Sequence, residues 1–304
     1  MLHRINQYIQ VVESPRFQFP HCNCLLIEDE QRCLIDTSPL QPDIERISQR
    51  PLDLIINSHG HLDHYFYNCR FPDSRIFIHP ADYSIATSAQ SYADEFAIRQ
   101  FAPDPTWDEL FIQSIQYYPT RIDGEIVDLQ YFDFGHTRVQ VLHLPGHSTG
   151  HCGFFFPEQG FVFSADIDFS SFGPWYGNLH SSIPDLLNSI DRLLNLKPDY
   201  YICGHGSPLI REGAAKRLRA YRDIIFQRQR RIVELMYGGR HTIAELAEPL
   251  PVYRRKVEPV ALFHIFEQIM ITIHLQYLEQ QGYVLREGDS WFLKKNLSPT
   301  RLML

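Results

Sequence analysis

Histidine and aspartate side chains are concentrated at four places in this sequence, and the densest of them lies at residues 58–64. His59, His61, Asp63 and His64 offer four potential metal ligands within six residues. In an extended segment, side chains two residues apart point to the same side, so the rings of His59 and His61 can reach one point. Asp63 and His64 can then turn with the chain and reach a second point. The segment therefore predicts two neighbouring metal positions.

The other three places lie farther along the chain, beside glycines or directly after apolar runs. His147 and His151 share one glycine-containing segment, and Asp166 directly follows an apolar run. His205 stands between two glycines, again after an apolar run. Imidazole and carboxylate ligands without a thiolate are typical of zinc sites, and also of iron or manganese sites. These segments extend the predicted metal site beyond its first motif.

The four places together resemble the metallo-β-lactamase superfamily, whose motifs HxHxDH, GHSxGH, a strand-end aspartate and GHG occur here in the family's order. They stand at 59–64, 146–151, 166 and 204–206, and the resemblance covers most of residues 1–208. It implies an α/β fold, the αββα sandwich, with a two-metal site at one edge of the sheets. It also implies the ligand sets, which are His59, His61 and His147 for the first metal, Asp63, His64 and His205 for the second, and Asp166 as the bridge.

The predicted chemistry follows from this ligand set. Two divalent metals about 3.5–4 Å apart share a water and lower its pKa toward about 7. Zn²⁺ is the first choice, with Fe or Mn as alternatives. The resulting hydroxide attacks an electrophilic carbon or phosphorus, so no serine or cysteine nucleophile is required. Asp63 and Asp166 are the predicted catalytic carboxylates, and Asp63 is a candidate to orient the hydroxide or to take up a proton.

Two further polar residues are expected beside the metals rather than on them. In the superfamily pattern, the residue at His151 supports the site without binding metal. Asp168 lies two residues beyond Asp166 and can share its face, which predicts a supporting or substrate-contacting role. The alternative for Asp168 is a solvated loop carboxylate. Cys22 and Cys24 have no partner pair in the sequence, and we interpret them as buried free thiols.

Aromatic residues surround the motifs and suggest a covered pocket. Residues 65–68 continue HxHxDH with Tyr-Phe-Tyr-Asn, where many hydrolases of the superfamily have a small pair. A second aromatic group follows Asp166, and residues 81–120 form a predicted helical insertion that is rich in aromatic side chains. We predict that four aromatic side chains contact the substrate, namely Tyr67, Phe172, Trp175 and Tyr176. The alternative is that these side chains only pack the loops.

The chain is predicted to contain two domains, a catalytic domain at 1–208 and a winged-helix-like accessory domain at 209–304. Residues 209–304 carry 16 Lys and Arg against 10 Asp and Glu, whereas residues 1–208 carry 12 against 26. Helical patterns at 209–237, 242–247 and 258–281 precede a predicted β-hairpin. This is the order of elements in a winged helix, and it resembles the C-terminal domain of one branch of the superfamily.

The accessory domain is not expected to read DNA sequence. The predicted helix 258–281 contains no Lys or Arg, although helices that read bases in a groove use such side chains. Its apolar residues are too many for one face, so we expect it to be buried against a large surface. Basic residues lie instead along 209–237, where the alternatives are a solvated face, a homodimer contact and weak, phosphate-mediated RNA binding.

Composition and motifs together predict an enzyme that acts on a small molecule. Of the 304 residues, 44% are hydrophobic, which excludes global disorder. No stretch approaches the ~20 apolar residues of a membrane span, and the first residues lack a secretory pattern, so we expect a cytoplasmic protein without a membrane partner. We predict a dinuclear metal-dependent hydrolase of a small-molecule ester, thioester or lactone. The alternatives are a metal-dependent (endo)ribonuclease or phosphodiesterase, and a non-catalytic metal-binding regulator.

Overall fold

Two mixed β-sheets form the centre of the fold. The computed structural model describes residues 2–14, 18–101, 104 and 106–294. In this part of the chain the first sheet contains seven strands that follow one another in chain order: β1 Leu2–Arg4, β2 Ile9–Val12, β3 Cys24–Glu28, β4 Arg32–Ile35, β5 Leu54–Ile56, β6 Arg75–Ile78 and β7 Gly124–Glu125. The first four strands pair antiparallel, and the last three join them in parallel.

The second sheet contains six strands within the described ranges: β8 Tyr131–Asp133, β9 Arg138–His143, β10 Cys152–Phe156, β11 Phe161–Phe163, β12 Tyr200–Ile202 and β13 Leu209–Ile210. Strands that are neighbours in the chain are also neighbours in this sheet. The β11–β12 pair is parallel, and the other pairs are antiparallel. A parallel pair needs a crossover, and the chain between β11 and β12 contains a long helix.

Apolar side chains from the facing surfaces fill the space between the two sheets. Ile27 and Ile56 of the first sheet belong to one buried cluster with Phe154, Phe156 and Phe163 of the second. Strands such as β4 and β5 are buried along their whole length. This explains their nearly continuous apolar sequences, because helices cover the outer faces of the sheets.

The described residues form ten α-helices: α1 Gln41–Ile47, α2 Leu62–Tyr65, α3 Tyr83–Thr87, α4 Ala89–Glu95, α5 Ile98–Phe101, α6 Trp107–Ser114, α7 Ile183–Leu196, α8 Ala214–Tyr237, α9 Ile243–Ala247 and α10 Val260–Gln280. Two 3₁₀ turns lie at Asn68–Arg70 and Pro80–Asp82. α1 packs on the first sheet through Ile44 and Ile47. α7 packs on the second sheet through Leu186 and Ile190. The predicted αββα sandwich is therefore confirmed, and the helical insertion at 81–120 corresponds to α3–α6.

The run of β-type residues at 125–134 resembles one strand in the sequence, but it is not one in the structure. The structure divides it into β7 of the first sheet and β8 of the second, with a turn between them. Within this turn Leu129 adopts a positive φ of 62°, and the Val127 N–H donates to the side-chain oxygen of Gln130. The segment therefore crosses from one sheet to the other, which a run of β-type residues does not reveal.

The last part of the chain follows the predicted order of three helices and a hairpin. Strands β14, Val284–Glu287, and β15, Ser290–Leu293, form the hairpin, and the Thr242 backbone pairs with Ser290. Thr242 also caps α9 in a capping box with Glu245. The winged-helix assignment itself, and the division at residue 208, stay predictions.

The first of these helices begins later than predicted. Leu209 and Ile210 were expected at its start, but they form β13 and pair with β12. α8 begins at Ala214, after Gly213 in the left-handed region. Apart from Arg228, which is fully buried, its cations divide into two groups. Arg222 donates to Asp191 and Arg231 donates to the Pro251 carbonyl, whereas four others are exposed, Lys216, Arg217, Arg219 and Arg230.

The expectation that the long apolar helix would be buried is confirmed. Most of α10 is buried in the cluster that also contains residues of α7 and α8. Burial on several sides explains why its apolar residues do not form a single stripe. None of the helices in the described ranges combines the length and the apolar character that a membrane span needs.

We predict that Leu275→Ala destabilises the protein by about 2–5 kcal/mol, because it leaves a cavity at a fully buried position of α10. The matched change on the same helix is Val260→Ala, at a position that is 38% exposed, and it is expected to cost less than about 1 kcal/mol. Urea unfolding followed by circular dichroism measures both changes. Equal losses in the two variants would contradict the placement of α10.

Candidate metal centre

The predicted ligands lie in loops that follow the carboxyl ends of four strands. His59, His61 and the start of α2 follow β5, His147 follows β9, Asp166 follows β11, and His205 follows β12. His61 is extended and stands immediately before α2, whereas residues 63 and 64 lie in the first turn of this helix. The turn of α2 separates the two pairs of side chains as the spacing of the motif predicted.

Three histidines form the first cluster. His59 Nε2 lies 3.0 Å from His61 Nδ1. His147 Nε2 lies 3.3 Å from His59 Nε2 and 2.9 Å from His61 Nδ1. All three side chains are buried. Three imidazole nitrogens that converge on one point form the donor set of a transition-metal site.

The second cluster contains Asp63, His64 and His205, whose ligand atoms all lie within 4.8 Å of one another. His205 Nε2 lies 3.4 Å from Asp63 Oδ2. Asp166 lies between the two clusters. Its Oδ1 is 2.9 Å from His64 Nε2 and 3.4 Å from His205 Nε2, and its Oδ2 is 3.2 Å from His147 Nε2. One carboxylate therefore faces both clusters, with one oxygen toward each.

The contacts within this centre fit a bound cation better than a hydrogen-bonded network. His64 Nε2 and Asp166 Oδ1 are close to each other, yet neither atom makes a hydrogen bond within the described residues. Buried polar atoms in proteins nearly always have partners, so two facing atoms without hydrogen-bond geometry indicate a shared ion. The clusters are consistent with a dinuclear metal site.

The family model described as Metallo-beta-lactamase superfamily matches residues 18–205, which contain every predicted ligand. The chain belongs to the metallo-beta-lactamase superfamily. The protein is thus a metal-dependent hydrolase of this superfamily, and the resemblance stated from the motifs is confirmed at that level.

Relatives with stated activities are distant. The chain is 29% identical over 216 residues to the hydroxyacylglutathione hydrolase GloC of Haemophilus influenzae. This match covers 66% of this chain and 91% of that protein. The chain is 28% identical over 163 residues to the acyl-coenzyme A thioesterase MBLAC2 of Homo sapiens, which covers 50% of this chain and 53% of the human protein.

A solved structure extends the likeness beyond the catalytic motifs. A metallo-beta-lactamase family protein from Thermus thermophilus superimposes with a TM-score of 0.76 at 21% identity. The match covers 96% of this chain and 100% of that one. At this identity the likeness shows the fold alone.

Hydrogen bonds to the Nδ1 atoms of His59 and His147 orient these rings so that their Nε2 atoms point into the centre. His147 Nδ1 lies 3.0 Å from the Trp175 carbonyl oxygen, and His59 Nδ1 lies 3.0 Å from Ser58 Oγ. Each ring donates from Nδ1 and so keeps Nε2 free for the cluster. The amide nitrogen of Asn178 lies 2.9 Å from the His147 carbonyl oxygen and 3.3 Å from His61 Nε2.

His64 is held by a carboxylate that the sequence analysis did not identify. Asp36 Oδ2 lies 2.8 Å from His64 Nδ1, and Asp36 also accepts hydrogen bonds from the Ser58 N–H and hydroxyl. Asp36 directly follows β4. A signal was therefore present, since Asp166 was found by the same position after an apolar strand.

A second missed carboxylate, Asp82, joins the two loops that carry the histidine motifs. It accepts hydrogen bonds from the Gly60 N–H at 2.8 Å, the Ser148 hydroxyl at 2.7 Å and the Gly150 N–H at 2.6 Å. Burial raises the pKa of Asp82 in spite of these donors. Asp82 lies at the start of the helical insertion, and no motif marks it in the sequence.

The two residues expected beside the metals occupy different environments. His151 is fully buried. Its Nδ1 lies 2.9 Å from the Leu144 carbonyl oxygen, and its Nε2 accepts from the Asp166 N–H at 3.2 Å. Burial lowers the pKa of His151 to about 3, so its ring stays neutral and holds the backbone of Asp166. Asp168 Oδ1 accepts from the Ser170 N–H and belongs to neither cluster.

The electrostatic surroundings of the ligands differ between the two clusters. Burial lowers the pKa values of His59 and His61 far below their usual range, which keeps both rings neutral. Burial alone would raise the pKa of Asp166, but His64, His205 and His147 hold it well below its usual range. Burial alone would lower the pKa of His64, and the carboxylates of Asp166 and Asp36 contribute to its net rise. Ionised carboxylates at this point therefore stabilise a positive charge.

Aromatic rings from three separate parts of the chain form a wall beside the first cluster. The Trp175 ring lies 5.9 Å from His61 and 5.6 Å from His147. Phe96 of the insertion lies 5.5 Å from His61, and Phe266 of α10 lies 5.6 Å from Trp175. This wall gives the predicted aromatic cover a physical position, although Phe96 and Phe266 were not among the predicted substrate contacts.

The four predicted aromatic contacts do not share one environment. Trp175 and Phe172 are partly exposed, but Tyr176 is fully buried, and its hydroxyl lies 2.8 Å from His274 Nε2. A phenol enclosed in this way holds its loop in place and presents no open surface, so the predicted substrate contact of Tyr176 stays a prediction that its burial does not favour. Tyr67 is partly exposed and stacks on His21 at 6.3 Å.

The loop of Trp175 is anchored by a buried arginine of α8. Arg228 is fully buried, and its guanidinium donates to the carbonyls of Phe172 and Pro174 at 2.5 Å each. It also lies over the Phe172 ring at 4.4 Å. The Trp175 indole N–H donates to the Tyr253 hydroxyl at 3.0 Å. The C-terminal part of the chain thus positions the residue whose carbonyl oxygen faces His147.

We predict that Asp36→Asn weakens metal binding at the second cluster by about 10–100-fold, because an amide orients His64 less well than a carboxylate does. Competition with a chromophoric chelator measures the affinity. The control is Asp29→Asn, because Asp29 is also a carboxylate paired with a histidine, His136. Asp29 lies before β4 and Asp36 lies after it, so the two carboxylates are at opposite ends of this strand. Equal metal affinity in the two variants would show that Asp36 has no such role.

Proposed function

We propose that this hydrolase cleaves small-molecule thioesters at a dinuclear metal centre. The observation that carries the proposal is the position of Asp166, whose two carboxylate oxygens face different ligand clusters. The names of two relatives, a hydroxyacylglutathione hydrolase and an acyl-coenzyme A thioesterase, support the thioester. Esters and lactones are the neighbouring substrate classes, because they present the same kind of carbonyl carbon.

The ligand roles in this proposal follow the two clusters: His59, His61 and His147 hold the first metal, Asp63, His64 and His205 the second, and Asp166 bridges them. Two divalent cations held there would supply Lewis acidity and would lower the pKa of bound water. The nitrogen and oxygen donors suit Zn²⁺ first, and Fe or Mn next.

The remaining steps belong to residues of the chain. Asp63 stands at the second cluster with an oxygen 3.4 Å from His205 Nε2, where it can accept a proton as the carbonyl carbon is attacked. Asp36 and His151 keep His64 and Asp166 in their orientations. The wall formed by Phe96, Trp175 and Phe266 excludes water from one side and offers apolar contacts to the acyl group.

The accessory part of the chain supports the catalytic part in this proposal. Its contacts with the Trp175 loop through Arg228 and Tyr253 favour a role in shaping the cleft. A winged-helix identity, a homodimer and weak RNA binding through α8 stay predictions, as does the absence of sequence-specific DNA binding.

Protein purified without chelator is expected to contain about two equivalents of Zn, Fe or Mn per chain. The variants His61→Ala and Asp166→Asn should each lose metal and thioesterase activity together. The activity should fall by more than about 100-fold. Elemental analysis and a thiol-release assay measure the two quantities. His136→Ala is the control, because that ring is exposed and pairs with Asp29. Full activity in metal-free protein would overturn the proposal.

Trp175→Ala is expected to lower kcat/KM for long or aromatic acyl thioesters by about 10–200-fold. This corresponds to the roughly 1–3 kcal/mol of transition-state binding that a lost apolar contact removes. Metal content should not change, because the hydrogen bond of His147 is to the Trp175 backbone carbonyl, which the alanine variant keeps. Trp107→Ala on α6 removes an equal ring elsewhere and should have no such effect. An equal loss for acetyl and long-chain substrates would contradict the assigned acyl contact.

A further inference from the structure

A turn at residues 178–182 lies behind the first ligand cluster, and its inner side contacts two of the ligands. The amide nitrogen of Asn178, which is fully buried, lies 2.9 Å from the His147 carbonyl oxygen and 3.3 Å from His61 Nε2. The Ser181 hydroxyl donates to the same His147 carbonyl oxygen at 2.8 Å. We call residues 178–182 the supporting turn. Its inner side holds the backbone of one ligand and faces the ring of another.

The outer side of the supporting turn is hydrogen-bonded to one residue, Glu95. The Leu179 N–H donates to the Glu95 carbonyl oxygen at 2.8 Å, and the His180 N–H donates to Glu95 Oε1 at 3.4 Å. His180 Nδ1 also pairs with Glu95 Oε2. Within the described ranges, Leu179 and His180 make all of their hydrogen bonds to this residue. Glu95 is therefore the anchor of the outer side of the turn.

The pair formed by Glu95 and His180 combines a buried carboxylate with an exposed ring. The Glu95 side chain is 6% exposed, and that of His180 is 68% exposed. The hydrogen bond to Glu95 raises the pKa of His180, which favours a protonated ring beside the carboxylate. A buried carboxylate without a partner is costly, so loss of the ring would favour a move of the carboxylate toward water. His180 therefore keeps Glu95, and the turn bonded to it, in the buried position.

Glu95 also belongs to the helical insertion that contributes to the aromatic wall. It is the last residue of α4, and Phe96 follows it directly. The Phe96 ring lies 5.5 Å from the His61 ring and 6.1 Å from the Trp175 ring. Two adjacent residues therefore provide a ring of the wall beside His61 and the anchor of the turn behind His147. A shift of this short segment would reach the first cluster from two sides.

We propose that Glu95 is a positioning residue of the first metal position, and that it acts through the supporting turn on the backbone of His147 and the ring of His61. The inference deepens the proposed function, because it rests on the dinuclear centre assigned there. Outer partners of this kind orient metal ligands and so raise the affinity for the metal. His180 keeps the carboxylate in place. The second cluster is supported by a different carboxylate, Asp36, so the effect is expected at the first position alone.

Stepwise competition with a chromophoric chelator measures the Zn²⁺ affinities of the two positions, and the step that is lost in His205→Ala identifies the second position. The test variant is His180→Ala, which removes an exposed ring and leaves the Glu95 carboxylate without its partner. We expect the affinity of the first position to fall by about tenfold, and that of the second to stay within about twofold. His180→Asn should restore most of the affinity, because its amide N–H can take the place of the Nδ1–H.

The control is His136→Ala, because His136 is also an exposed ring that pairs with a buried carboxylate, Asp29. This change should alter neither affinity. Glu95→Gln removes the charge at the buried end of the pair and should weaken the same step as His180→Ala. The double variant Glu95→Gln/His180→Ala should lose no more than about twofold beyond the larger single loss, because residues that act through one contact are not additive.

Three outcomes would overturn the proposal. They are an unchanged affinity of the first position in His180→Ala, an equal loss at both positions, and an equal loss in His136→Ala. If two metals bind but no thioester is hydrolysed, the proposed function fails, and the affinities still test the role of Glu95. If thioesters are hydrolysed but the first affinity does not depend on His180, the function stands and the positioning role of Glu95 is refuted.

Discussion

The position of one carboxylate, that of Asp166, is the constraint on which the rest of the structure depends. Isolated buried carboxylates and clustered imidazoles are costly to remove from water unless a cation compensates them. Asp166 faces both ligand clusters and so requires that four strand ends meet at one edge of the sandwich. The backbone at this point is unusual as well, since Ala165 adopts a positive φ of 44°. The loop after β12 also approaches this backbone closely. A Cβ on Gly204 would lie 3.1 Å from the backbone of Ala165, so a larger residue would crowd the loop that carries Asp166.

The groups that support the ligands are carboxylates and carbonyls from distant parts of the chain. Asp36 and Asp82 lie behind the histidine motifs, and each joins segments that are far apart in sequence. Each accepts several hydrogen bonds, so each fixes a loop as well as a ring. This arrangement keeps the ligand atoms in place before a metal binds, and preorganisation of this kind strengthens metal binding.

A similar use of buried charge supports the aromatic wall. Arg228 and Glu267 are fully buried, and each bonds backbone groups of a loop that has no regular structure. Removing one partner of such a network leaves an unpaired buried group, which is far more costly than losing an exposed ion pair. The C-terminal helices are therefore required for the position of Trp175, and through it for the surroundings of His147. The catalytic motifs and the described residues 209–294 form one connected structure.

The motifs of the candidate metal centre are the part of this protein that could be predicted from the sequence, and the structure brings their side chains into two clusters. HxHxDH fixes four side chains within six residues, and the local geometry of an extended segment followed by one helical turn decides where they point. Helix boundaries such as Ile183–Leu196 were also predictable, because caps and apolar spacing are local signals. The division of residues 125–134 between two sheets was not predictable in this way, because the crossing between sheets is not a local property.

Only the tertiary structure decided which groups stand behind and beside the ligands. Ser148 and Asp82 are 66 residues apart, and Arg228 and Pro174 are 54 apart. No spacing rule relates residues at such separations. Sequence patterns also cannot distinguish Trp175, which lies partly exposed against the ligands, from Tyr176, which is fully buried. The sequence by itself therefore indicated the chemistry of the centre, because residue type and short spacing define each motif and the resemblance to the superfamily joins motifs that are far apart. The structure determined its cover and its supports, because those depend on contacts between segments that meet only in the folded chain.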